Sequence, residues 1–112
     1  MQSKTPNKPY TFHVLYPQPT NATQFDLDYS KHLELLDSLM GYTQNDKPYY
    51  ITKLDHEVFG SPSPFYQMFT MSFENREELE TAINSKEMEE AGKDAVRIST
   101  GGAPVILIGN EK

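Results

Sequence analysis

The sequence contains no cysteine. Disulfides, thiol nucleophiles and thiolate metal sites are therefore excluded, and the redox character of the compartment is left open. Basic residues are few: ten Lys and Arg stand against sixteen Asp and Glu, a formal net charge of -6. Nucleic acids and anionic membrane surfaces reward clustered Lys and Arg, so neither is an expected partner. No apolar run approaches the roughly 20 residues that span a bilayer. Residues 1–9 carry lysines with no apolar segment behind them, which reads as no secretory signal, and the cytoplasm is the expected location. Histidine occurs three times, which confines any imidazole chemistry to His13, His32 and His56.

What is present suits one domain, expected over residues 10–112 behind a flexible tail of residues 1–9. Thr23 to Met40 has the pattern of an amphipathic helix. Phe25, Tyr29, His32, Leu33, Leu36 and Met40 recur at offsets of 0, 4, 7, 8, 11 and 15, which is one face at 3.6 residues per turn. Asn21 with Gln24, and Thr23 with Asp26, both resemble capping boxes, and Gly41 is placed to close the helix in a left-handed conformation. The β-branched and aromatic stretches Tyr10–Tyr16, Tyr49–Phe59, Phe65–Phe73 and Pro104–Ile108 predict four strands. Gly60-Ser61-Pro62-Ser63-Pro64 predicts a hairpin loop between the middle two. Asn75 with Glu78 caps a second helix carrying Leu79, Ala82 and Ile83 inward. Asn84-Ser85 interrupts it before a short helix carrying Met88, Ala91, Ala95 and Val96. The order β-α-β-β-α-β is that of a ferredoxin-like α+β sandwich.

In such a sandwich the helices cover one face of the sheet. The strands here predict apolar residues on both: Phe65, Phe69, Met71 and Phe73 against Tyr66 and Met68, and Val105-Ile106-Leu107-Ile108 on either side. The second face therefore needs a cover, and an identical chain can supply it. A homodimer with packed sheets is expected, with the aromatic residues of the third strand in its core.

Polar tips on the core-facing stripe of the first helix must find partners or line a cleft. His32 and Tyr29 share that stripe and are the candidate acid/base pair. An imidazole takes and returns protons near neutrality, and a tyrosine one turn away can hold a carbonyl or enolate oxygen. The bland alternative is a histidine satisfied at a helix–sheet interface. His13, Tyr16, Phe25 and Leu36 are the candidate ligand-binding residues around the pair. His13 shares a side of its strand with Thr11 and Leu15, so it is either in that cleft or an interface histidine. Asp55-His56-Glu57 alternates faces along a strand and cannot converge on a metal, and no His-Glu-x-x-His spacing occurs. Neither a metal nor a cofactor is expected; haem needs an axial ligand, and the second helix has no histidine. Phe65-Tyr66-Gln67-Met68-Phe69 lacks the Arg, Lys and Gly of an RNA-recognition strand.

Several segments resemble the EthD family of small dimeric α+β-barrel proteins. They are Val14-Leu15-Tyr16-Pro17, Phe25-Asp26-Leu27-Asp28-Tyr29 followed by His32, Phe73-Glu74, Ser85 with Glu87-Met88, Asp94, and Thr100-Gly101-Gly102 with Pro104. The resemblance covers about Phe12 to Gly109. It implies a homodimeric barrel, and relatives on that barrel include cofactor-free monooxygenases, cyclases, isomerases and haem-binding enzymes, among which the fold does not choose. The primary expectation is a homodimeric accessory protein that binds a small hydrophobic or aromatic molecule in degradation or secondary metabolism. The alternatives are a cofactor-free enzyme using His32 as acid/base and a structural dimer without ligand.

Overall fold

Alternation decides which side chains of the sheet meet the helices. The structure, a computed structural model, describes residues 8–111; the expected tail over residues 1–9 lies almost wholly outside them. The elements run β1 (Tyr10–Pro17), α1 (Ala22–Met40), β2 (Tyr49–Lys53), β3 (Phe65–Phe73), α2 (Arg76–Ile83), α3 (Lys86–Ile98) and β4 (Val105–Asn110). The strands form one antiparallel sheet in the order β2-β3-β1-β4, and with the helices on one face this is the ferredoxin-like sandwich.

Two rows of paired residues cross the helix side of the sheet. Ile108, Phe12, Met71 and Tyr49 are in register in one, and Ile106, Val14, Phe69 and Ile51 in the other. On these rows α1 sets Phe25, Tyr29, His32 and Leu36, all buried. Tyr16 meets Phe25 and Tyr29 edge to face, each at 5.4 Å between ring centres, and Phe25 stacks on Tyr29 at 5.6 Å. Such aromatic pairs add to the hydrophobic burial that holds the layers together.

Helix ends follow the chemistry of their caps. The Asn21 side chain accepts from the Gln24 amide, Asn75 from Glu78 and Ser85 from Met88, each satisfying an otherwise orphaned N–H. Thr23 falls inside α1, so its box with Asp26 is not used. Gly41 ends α1 at φ 75°, where a side chain would be strained. Gly101 is needed for a different reason: a Cβ there would overlap the Gln18 backbone carbonyl.

Four expectations are corrected. β2 ends at Lys53 rather than Phe59, because Pro62 and Pro64 cannot donate to a ladder on the facing segment. Residues 57–60 turn instead, and Val58 and Phe59 are 88 % and 98 % exposed. Val96 points outward and Ile98 takes the inward place on α3. Tyr66 is the extra residue of a register shift opposite Tyr16 and Pro17, so its ring meets Phe25 on α1 at 5.5 Å. Phe69 likewise belongs to the chain's own core, so these aromatics are not set aside for a dimer. Finally, the open face is mixed rather than apolar. Its middle row reads Leu107, His13, Thr70 and Tyr50, flanked by Thr11 with Ser72 and by Leu15 with Met68.

Candidate functional site

Small residues on α3 open a space above the sheet. Ala91, Gly92 and Ala95 face the isoleucines of β4, and a cavity of about 300 Å³ lies between them. Its floor is Phe12, Val14, Tyr16, Phe69, Ile106 and Ile108; α1 contributes His32 and Leu36, and Ile83 and Met88 close the α2 end. A Cβ added at Gly92 would meet nothing within 4 Å, so that glycine is a true gap in the wall. The lining is apolar apart from the Tyr16 hydroxyl and the His32 imidazole.

His32 is held there by a facing helix. Its Nδ1 lies 2.9 Å from Asp94 Oδ2, while the other oxygen of Asp94 accepts from Arg97 Nε at 2.8 Å and lies 2.7 Å from the second guanidinium nitrogen. Burial alone would raise the pKa of Asp94, but its bonds to His32 and Arg97 and the guanidinium charge outweigh that and hold the carboxyl below the usual range. Asp94 is then a carboxylate, which only accepts, so the proton of a neutral His32 sits on Nδ1. In that neutral form Nε2 carries the lone pair, and among the described residues no hydrogen bond is made to it. A base oriented by a carboxylate and edged by an apolar cavity can accept a hydrogen bond from a ligand or take its proton.

The expected site residues divide. His32, Tyr16 and Leu36 line the cavity. Phe25 stands behind Tyr16 without lining it. Tyr29 touches the His32 ring at 5.6 Å, but it lines a different recess on the β2 side of α1, so the two do not act as a pair on one space. Burial raises the Tyr29 pKa above the usual phenol range, with the neighbouring Tyr16 and Tyr49 adding to the rise and the Gln67 amide opposing it; Tyr16 is raised likewise by burial and then by Asp94. Both are neutral phenols. His13 is not brought to His32: it lies across the sheet, with Nδ1 3.1 Å from the Thr70 hydroxyl and Nε2 3.0 Å from that of Thr11. His56 bonds the Glu57 carbonyl in its own loop. Among the described residues no three His, Asp or Glu side chains gather as a metal would require, and no helix is long and apolar enough to cross a membrane.

Asp94 was not identified as the partner of His32, although the sequence carries the signal. It stands three residues after Ala91 and four before Ile98, so it is an acid on the buried stripe of α3, as His32 is a base on that of α1.

An EthD domain model matches residues 16–101. No curated protein matches. Among solved structures, an ethyl tert-butyl ether D (EthD) family protein from Bacillus halodurans C-125 is 28% identical, with TM-score 0.77 over 93% of this chain and 99% of that one. An EthD-like protein from Ralstonia eutropha JMP134 is 19% identical, with TM-score 0.60 over 93% and 92%. A dimeric protein of unknown function and ferredoxin-like fold from Bacteroides fragilis NCTC 9343 is 11% identical, with TM-score 0.61 over 90% and 94%. The last two likenesses are of fold.

Proposed function

The chain belongs to the EthD family, and we propose that it binds a small, largely apolar molecule in the cavity between α3 and the sheet, with His32 as the polar contact. The carrying observation is the His32–Asp94 pair at the wall of an otherwise apolar space. An aromatic molecule with one hydroxyl suits that wall: its rings exchange water for the aliphatic lining, and its O–H donates to Nε2. The role is that of a binding accessory in a degradative or secondary-metabolic pathway. The orientation of His32 by a carboxylate supports a second reading, a cofactor-free enzyme in which Nε2 takes the proton of such a ligand.

Fluorescence titration with 1-naphthol, and with 1-methoxynaphthalene as the analogue lacking the donor, tests the binding. Saturable naphthol binding is expected, about tenfold tighter than the ether for one hydrogen bond. His32→Leu, which removes the acceptor, should weaken naphthol and erase the preference, and Gly92→Leu, which fills the gap, should abolish binding of both. Absence of saturable binding in the wild type would leave a structural domain without this ligand site. Turnover with loss in His32→Gln, in a screen of phenolic and enolic compounds, would favour the enzyme.

The same reading includes a second copy of the chain on the open face. Leu15 and Met68 there lie beside Val105 and Leu107, which are 38 % and 52 % exposed, and the likeness to a dimeric protein supports the pairing. Sedimentation at micromolar concentration should give the mass of two chains, and Leu107→Lys should give one. A monomeric wild type would contradict the dimer.

A further inference from the structure

The open face carries one group that titrates near neutrality, and it stands at the centre. His13 is on an inner strand and in the middle of the three paired rows of that face, beside Thr70 on the other inner strand. None of the strand residues in those rows is Asp, Glu, Lys or Arg, and the other titratable one is Tyr50 at the β2 end of the same row. Glu111, whose amide bonds the Pro9 carbonyl, follows Gly109 on the same alternation beyond the last row. The ring is fixed in place. Its two nitrogens lie 3.1 Å from the Thr70 hydroxyl and 3.0 Å from that of Thr11. Gly109 pairs with Thr11, and a Cβ there would come within 3.0 Å of the Thr11 hydroxyl oxygen, so the missing side chain keeps the space of that bond.

Covering this face has different consequences for the two forms of the ring. A neutral imidazole needs one acceptor and one donor, and two hydroxyls supply them. It can be buried with no hydrogen bond left unmade. A charged imidazole under the same cover is a desolvated cation, and burial already acts on His13, lowering its pKa. In a pairing of identical faces the two-fold axis passes through the patch, so a residue at its centre meets the centre of its copy. Two protonated rings would then face each other in a dry interface, with no carboxylate in the three rows to offset them.

We propose that His13 makes the self-association of this chain acid-sensitive: neutral rings let the open faces pair, and protonated rings separate them. The inference rests on the pairing of open faces proposed above. Its sign is distinctive. Acidification removes negative charge from a chain of formal net charge -6, which by itself favours association, whereas His13 acts in the opposite direction.

Sedimentation of the full chain at pH 7.5 and pH 5.5 gives the dimer dissociation constant at each. Pairing releases up to two protons per dimer, so the constant should rise about tenfold or more at the lower pH. His13→Gln keeps a polar side chain beside the hydroxyls and does not titrate, so its constant should change less than about twofold. The His13 ring titration, followed by NMR in the wild type, should move to higher pH on dilution from dimer to monomer, which tests the same coupling without a substitution. A monomeric wild type at pH 7.5 would overturn the pairing and this inference with it. A dimer whose constant is the same or lower at pH 5.5 would overturn the inference alone. So would an equal loosening of His13→Gln, or a ring titration that dilution does not move.

Discussion

The two histidines on either side of the sheet differ in what holds them. His32, 5 % exposed on the helix side, gives one nitrogen to a carboxylate and stands at the wall of a cavity. His13, on the open side, has a threonine hydroxyl at each nitrogen. Hydroxyls donate or accept, so they satisfy either tautomer and leave the ring nothing further to bind. Burial lowers the pKa of His13, and among the described residues no charge offsets it. The two histidines therefore differ in a charged partner and in a nitrogen to which no described residue bonds.

That contrast can be broken by substitution. His32→Ala should cost the most, about 3 kcal/mol of folding stability in urea unfolding, since it empties a buried ring position and leaves Asp94 Oδ2 without its partner. Asp94→Ala should cost less, about 2 kcal/mol, through the unpaired His32 Nδ1. The wild-type carboxylate has a folded pKa below its unfolded one. Its contribution is complete above the unfolded value of about 3.9 and is lost as pH falls through the folded value. The variant should therefore lose less stability than the wild type below about pH 4. His13→Gln should cost about 1 kcal/mol at pH 7.5. Because the folded pKa of His13 is also depressed, its contribution is full above about pH 6.5 and declines as pH falls toward the folded value. The cost of His13→Gln should shrink at pH 5.5, and equal costs at the two pH values would show that burial does not set its state. Gly92→Ala should be the mildest, a gain of about 0.8 kcal/mol from helix propensity at an uncrowded position; a loss would mean that the gap in the wall is not real.

Much of this arrangement was legible before any coordinates. The order of elements along the chain, the α1 stripe, the Asn21 and Asn75 caps and the Gly41 stop each rest on local periodicity or side-chain chemistry, and each is found in place. The end of β2 was not legible from strand propensity, because the prolines that stop it lie across the hairpin. The separation of Tyr29 from His32 was not legible either. Three residues on a helix turn the direction by about 300° at 3.6 residues per turn, and only the neighbours decide that one side chain meets α3 and the other β3. His13 needed the strand's pairing register, which places Thr70 opposite it. Asp94 was legible by the same stripe that exposed His32, but its pairing requires knowing that α1 and α3 lie side by side.

The most direct measurement is the 15N spectrum of the His32 imidazole with and without 1-naphthol. The account predicts that, at a pH where the ring is neutral, its proton is on Nδ1 and held by Asp94, and that the bare Nε2 resonance moves when naphthol binds. A ring protonated on Nε2, or an Nε2 resonance unmoved at saturating naphthol, would contradict it.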